Sequence, residues 1–192
     1  IIIPTGNPTK TEVPEKTGYF DDLENAQWAA EAINALAEKG VVAGKGERQF
    51  SPMDNIKREE FVRMVVNAFG LEAADGEINF KDVAEDAWYY NDIKIAYTLG
   101  IISGTDENNF GTGKLITRQD MAVMTYRAAM ATGKAFNYIS EPIAFNDAGN
   151  IATYAQEAVT VMQRAGIING MGGDLFAPNG TATRAQAAKI MD

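Results

Sequence analysis

The sequence predicts an all-helical fold made of one helix–loop–helix unit used three times. Three observations predict it. Gly40-Val41-Val42-Ala43-Gly44, Gly100-Ile101-Ile102-Ser103-Gly104 and Gly166-Ile167-Ile168-Asn169-Gly170 share one pattern at a period of 60 to 66 residues, the mark of a tandem repeat. In every copy a phenylalanine (Phe50, Phe110, Phe176) follows the second glycine by six residues, and an arginine (Arg58, Arg118, Arg184) follows that phenylalanine by eight. On both sides of this core pattern, apolar residues recur at helical spacing.

Each unit opens with an aromatic and an aspartate two apart: Phe20/Asp22, Phe80/Asp82 and Phe145/Asp147. Another aromatic follows after six or seven residues: Trp28, Trp88 or Tyr154. A first helix comes next. In repeat 1 its apolar face is Trp28, Ala29, Ala32, Ile33, Leu36 and Ala37, which fits a period of 3.6. Gly40, Gly100 and Gly166 stand where that helix should end, in the left-handed conformation that glycine tolerates best. A short apolar extended run follows, and the second glycine opens a polar loop that runs to the phenylalanine.

The second helix starts at the arginine. Thr117 and Thr183 precede Arg118 and Arg184 as N-caps, Gln186 completes a capping box, and Asp120 reads as a shorter, acidic version of one. Lys57 lacks the cap hydroxyl in repeat 1. Phe61, Val65, Ala68 and Phe69, closing at Gly70, form the apolar face there; Met121, Met124 and Ala128 do so in repeat 2. The reading divides the chain into a Pro/Thr-rich linker over 1–17 and repeats over 18–71, 78–132 and 143–192. The linker is equally readable as an ordinary disordered terminus or as the tether of a modular secreted protein. Repeat 3 stops about one turn short of the length of repeat 1, so its last helix is expected to be truncated. Ile1-Ile2-Ile3 is too short for a signal peptide, and the chain reads as an excised piece.

Composition narrows the function. The chain has 192 residues, 46% of them hydrophobic, enough for a folded core. It holds no cysteine and no histidine, which removes Cys/His zinc sites, cysteine nucleophiles and histidine-based triads. A net charge of -9 argues against a nucleic-acid surface and requires any anion site to be built locally from arginines. No apolar run approaches the ~20 residues of a membrane span.

The ordered set of Phe-x-Asp, tryptophan, helix, Gly-Ile-Ile-x-Gly, phenylalanine and Thr-Arg at a second helix start resembles the S-layer homology (SLH) module. The resemblance covers residues 20 to 192, and three copies are the usual number. It implies an all-helical pseudo-threefold trimer of repeats, often described as a spindle, with grooves between neighbours. It also implies a module of a larger surface protein, extracellular, at the cell wall of a Gram-positive bacterium. There such modules bind, without a covalent link, an anionic secondary cell-wall polysaccharide commonly bearing pyruvate ketals. On this resemblance the ligand-binding candidates are Arg58, Arg118 and Arg184, then Trp28, Trp88, Asp22 and Asp82, then Gly44, Gly104 and Gly170, with Thr105 beside Gly104. Repeat 2 holds the most complete set. No cofactor, metal, nucleic acid or membrane insertion is implied, and no enzymatic activity.

The residue chemistry leaves alternatives open. Arginine has a planar fork suited to a ketal carboxylate. At a helix start it would be joined by unpaired amides and the positive end of the dipole. The same arginines could instead pair with acids, the Phe-x-Asp aspartates first among them, and only fix the repeat interface. Trp28 and Trp88 read either as core or as groove walls that stack on sugar. Phe50, Phe110 and Phe176 read as core. The paired glycines read as a C-cap and a turn, with close backbone approach to a ligand as the functional reading. Asp106-Glu107-Asn108-Asn109 lacks the ligand spacing of a calcium loop. The repeating aspartates occur once per copy, unlike the unique carboxylate pair of a glycosidase. A self-association module for lattice assembly, without a glycan site of its own, is the main alternative function. Arg118→Ala is expected to weaken polymer binding without unfolding the module.

Overall fold

A computed structural model describes residues 18–72 and 75–192; the linker reading over 1–17 falls outside them. The described residues form six α-helices: α1 (Gln27–Glu38), α2 (Arg58–Phe69), α3 (Tyr90–Thr98), α4 (Arg118–Ala131), α5 (Gln156–Arg164) and α6 (Arg184–Met191). Among them there is no β-sheet, only isolated bridges such as Asn55 with Thr183, Lys57 with Leu115 and Thr117 with Thr181. The all-helical class expected from the repeat is what is found.

The helix boundaries follow the sequence signals. All three second helices begin at the arginine. Thr117 accepts from the Asp120 amide, and Thr183 and Gln186 close a full capping box. In repeat 1 only half a box exists: the Glu60 carboxylate accepts from the Lys57 amide at 2.9 Å, because lysine offers no acceptor in return. Gly40, Gly100 and Gly166 take φ of 69°, 70° and 72°, as a helix-ending glycine must. Ala29, Ala32, Ile33 and Leu36 are buried as expected, whereas Trp28 is not.

The bridges mark where the repeats meet. The Ile56 amide donates to the Ala182 carbonyl, Ala182 to Ile116, and Ile116 to Ile56, at 3.0, 3.2 and 3.0 Å. This closed ring takes one residue from each repeat, all three of them buried. A second cyclic set surrounds it: the amides of Arg58, Arg118 and Arg184 donate to Lys114, Gly180 and Asp54, each at 2.9 Å. Around this hub the second helices touch one another, and each also receives the first helix of the following repeat: α3 on α2, α5 on α4, and α1 on α6. The packing unit is therefore a helix pair drawn from two repeats. The α1–α6 pair closes the circle between the first and last repeats. One continuous core runs through all three, with Phe50, Phe61, Phe110 and Phe176 almost completely buried.

Candidate functional site

Each Phe-x-Asp aspartate builds the loop of its own repeat. Asp22 accepts from the amides of Phe50 and Ser51 at 2.9 and 2.7 Å. Asp82 accepts from Phe110, Gly111 and Thr112 at 2.8, 2.7 and 2.8 Å. Asp147 accepts from Phe176 and Ala177, both at 2.8 Å. For two adjacent amides to converge on one carboxylate the chain must turn sharply after the phenylalanine. Ser51, Gly111 and Ala177 accordingly have φ of 58°, 94° and 56°. Partial burial pushes the Asp82 carboxyl up, but the amides of Thr112, Phe110 and Gly111 outweigh it and hold it below the ordinary carboxylate range. Asp147 is shifted the same way, with the amides of Phe176 and Ala177 outweighing desolvation. Asp22 and Asp82 thus spend their oxygens on backbone.

The second glycines are needed for the same loop. A Cβ on Gly104 would lie 2.4 Å from the Asp106 carbonyl oxygen, 2.5 Å from that of Asn109 and 2.8 Å from the Phe80 ring. On Gly44 it would lie 2.5 Å from the Gln49 carbonyl oxygen and 2.9 Å from Phe20. Gly170 is less crowded, its closest contact being Leu175 O at 3.1 Å. The close backbone approach is to the protein's own loop. The Asp106 carboxylate closes that loop by accepting from the amides of Asn108 and Asn109. Among the described residues no three acidic, histidine or cysteine side chains converge to hold a metal ion.

The three arginines cross from one repeat into the next. Arg58, Arg118 and Arg184 are buried, at 5%, 7% and 7% exposure. Their Nε atoms donate to the carbonyls of Phe110, Phe176 and Phe50 at 3.2, 2.8 and 2.8 Å. Each guanidinium lies over the same phenylalanine, 5.1, 5.2 and 4.5 Å from the ring centroid. Arg118 also donates to the Asn169 carbonyl and Arg184 to that of Ala43, the residues just before Gly170 and Gly44. The alternative partnership with the Phe-x-Asp aspartates is not a bonded one among the described residues. Arg118 and Arg184 make no ion pair among the described residues, and Arg58 pairs with Asp120 at 2.7 Å. Burial lowers the pKa of Arg118 and Arg184, with nearby carboxylates opposing it; both stay cationic near neutrality, since guanidinium pKa starts above 12.

At α4 and α6 the free amides expected at the helix starts are not there. At α4 the amides of Arg118, Gln119 and Asp120 go to Gly180, Pro178 and the Thr117 hydroxyl. At α6 those of Arg184, Ala185 and Gln186 go to Asp54, Pro52 and Thr183. These helix starts are docked into the turn of the next repeat, so a ligand there meets side chains instead of backbone donors.

Three open grooves result, and every repeat contributes to each. The Gly44 groove, about 440 Å³, joins the Gly40–Gly44 run and α2 of repeat 1 to Trp88 of repeat 2 and Arg184 of repeat 3. The Gly104 groove, also about 440 Å³, joins Ile101–Thr105 and α4 to Tyr154 and Arg58. The Gly170 groove, about 370 Å³, joins Ile167–Met171 and α6 to Trp28 and Arg118. Trp28, Trp88 and Tyr154 are 55%, 53% and 55% exposed. Each helix start bearing the aromatic thus faces an arginine from another repeat, and the core reading of the tryptophans is overturned. The reason is positional: these aromatics precede or begin the first helix, ahead of its buried face.

The groove frame also corrects the ranking of repeats. Trp88, Gly104-Thr105 and Arg118 stand together in the sequence but line three different grooves. Completeness has to be counted by groove. Residues beyond those expected also line the grooves. Tyr154 replaces tryptophan and was findable from its spacing. Arg63, over the Trp88 ring at 5.1 Å, has a cationic counterpart in Lys189 but none in repeat 2, where Val123 stands. Glu60, Asp120 and Gln186 sit at one helical position and look from sequence like capping residues only.

Comparison with known proteins agrees with this architecture. The family model of the S-layer homology domain matches residues 19–62, 79–122 and 144–188. The chain is 37% identical over 196 residues to Exoglucanase XynX of Acetivibrio thermocellus, covering 99% of the chain and 17% of that protein. It is 30% identical over 191 residues to an endoglucanase of Bacillus sp. (strain KSM-635), covering 100% of the chain and 20% of the relative. It is 32% identical over 166 residues to the Surface-layer 125 kDa protein of Lysinibacillus sphaericus, covering 85% and 14%. The chain spans a fifth or less of the length of these relatives.

Proposed function

The chain belongs to the S-layer homology domain family, a cell-surface anchoring module, and from that premise we propose that its inter-repeat grooves hold an anionic, pyruvate-ketal-bearing secondary cell-wall polysaccharide. One observation carries the reading. In the Gly44 and Gly170 grooves an exposed tryptophan from one repeat stands across from a buried arginine of another, and neither arginine has an ion-pair partner among the described residues. A buried cation with its face on a groove favours an anion locally, even in a chain of net charge -9. The carboxylate of a ketal would take the guanidinium, and the apolar face of the pyranose would pack on the indole. The module would tether a larger secreted protein to a Gram-positive wall. The enzymatic names among its relatives belong to those proteins, of which it matches only a small part. Among the described residues no helix is long and apolar enough to cross a membrane.

The test is binding of the fragment to purified walls before and after chemical removal of pyruvate. Loss of binding on stripped walls is the expected result. Undiminished binding would remove the carboxylate from the mechanism, and concentration-dependent association without walls, measured by sedimentation velocity, would favour lattice assembly instead. Arg118→Ala is a poorer probe than the sequence suggested. It removes the ties to Phe176 and Asn169 as well as the charge, so it is expected to cost stability. Arg118→Lys keeps the charge and loses the fork; it should weaken wall binding about tenfold with a smaller stability loss.

A further inference from the structure

Among the differences between the three grooves, one bears directly on the arginine: the third residue of the second helix. In repeat 1 it is Glu60, whose carboxylate is held by the Lys57 amide at 2.9 Å. In repeat 3 it is Gln186, whose side-chain carbonyl is held by the Thr183 amide at 3.0 Å. Both side chains are long enough to fold back onto their own helix start. In repeat 2 the residue is Asp120, one methylene shorter, and it makes no such bond to Thr117 among the described residues. It turns outward into the Gly104 groove instead. There one oxygen takes Arg58 Nη1 at 2.7 Å, and the other accepts from the Tyr154 hydroxyl at 2.7 Å.

Both recognition elements of that groove are therefore engaged. The arginine facing Gly104 already holds a carboxylate, and the aromatic wall is fastened to the same carboxylate through a hydroxyl that neither tryptophan has. The Tyr154 phenol is pushed up to about 12 by desolvation and by this bond. Arg127 adds a cation to the groove, but it lies two turns further along α4 and does not sit on the Gly–Phe segment as Arg58 does.

The geometry points to a masked groove: Asp120 occupies the anion position at Gly104, so that, on the functional reading above, this chain binds anionic wall sugar through the Gly170 and Gly44 grooves only. The Gly170 groove, with neutral Gln186 there, is the stronger. Glu60 leaves a tethered negative charge near Arg184 in the Gly44 groove, which ranks second.

Isothermal titration with a methyl hexopyranoside carrying a 4,6-pyruvate ketal tests this. Wild type should bind two equivalents. Asp120→Gln restores the side-chain length of Gln186 and should bind three. Gln186→Asp copies the mask into repeat 3 and should bind one. Thermal melting of each variant shows that it is folded. Three equivalent sites in wild type would overturn the mask while leaving the anionic reading intact. Two sites in Asp120→Gln, or an unchanged count in Gln186→Asp, would also overturn it. No binding by wild type or either variant would sink the anionic reading and the mask with it.

Discussion

The hub and the groove rims are built from the same three copies, yet they treat repetition differently. At the hub the copies are nearly interchangeable. Three amide–carbonyl bonds close a ring, three aspartates hold a turn, and three arginines cap a phenylalanine in the next repeat. At the rims the copies diverge: tryptophan, tryptophan and tyrosine on one wall, and Glu60, Asp120 and Gln186 on the other. The hub can vary little because each group closes a bond onto a buried partner, and an unmet buried polar group costs about 1–3 kcal/mol. The rim faces solvent, where a substitution costs little stability and changes only what the groove accepts. Substitutions should sort accordingly, into those that unfold and those that unbind.

The largest effect belongs to the aspartate staple. Asp82→Ala strands three amides and releases the turn that seats Phe110; about 3 kcal/mol of destabilisation is expected, read as a lowered midpoint in urea. Asp82→Asn should recover only part of it, since an amide oxygen is a weaker acceptor than a carboxylate. Next comes Gly104→Ala, whose new methyl meets two backbone carbonyls that cannot step aside. Roughly 2 kcal/mol is expected. The contact at Gly170 is longer, so Gly170→Ala should cost less than half as much. Equal costs at the two sites would mean that the loops are softer than their geometry.

Acid should act on the hub in the same sense. Asp82 and Asp147 are held below their unfolded values of about 3.9. Stability from a lowered carboxylate is fully present above the unfolded pKa and lost as pH falls through the folded one. Urea midpoints should therefore be flat from pH 7 to about 5 and drop below about 4. Asp82→Asn should flatten that drop. A drop that persists unchanged in the variant would assign acid lability to other carboxylates.

How much of this was legible follows the same division. Helix starts at Arg58, Arg118 and Arg184, helix ends at Gly40, Gly100 and Gly166, and burial of the three phenylalanines could all be read from spacing. Those are local features, and three copies give each position three readings. What could not be read was which copy meets which. The cyclic order sends Arg184 to Trp88 and Arg118 to Trp28, a pairing that no within-repeat spacing contains. Asp22 and Asp82 were legible as recurring residues, read as ligand or arginine partners, but not as staples, because their partners lie 28 to 30 residues away. Asp120 was legible as a shortened capping box, yet a missing methylene says nothing about where the carboxylate goes. That depends on Arg58 and Tyr154 arriving from the two other repeats.

Trp88→Ala is the mildest change for the fold and the sharpest for the comparison. The indole is half exposed and touches the rest of the protein mainly through the edge of Tyr89 at 5.1 Å between centroids and the Arg63 guanidinium over its ring. An exposed cation–π contact contributes about 0.5–1 kcal/mol, so the melting midpoint should move by no more than a few degrees. Wall binding should fall by tenfold or more if the indole is the sugar platform of the Gly44 groove. Trp28→Ala should do the same at Gly170. Tyr154→Phe should leave wall binding unweakened, because a masked groove contributes nothing to lose. A fall in binding with Tyr154→Phe as large as with Trp88→Ala would place all three rims on an equal footing, and the divergence of the copies would then be drift in the sequence without consequence for the wall.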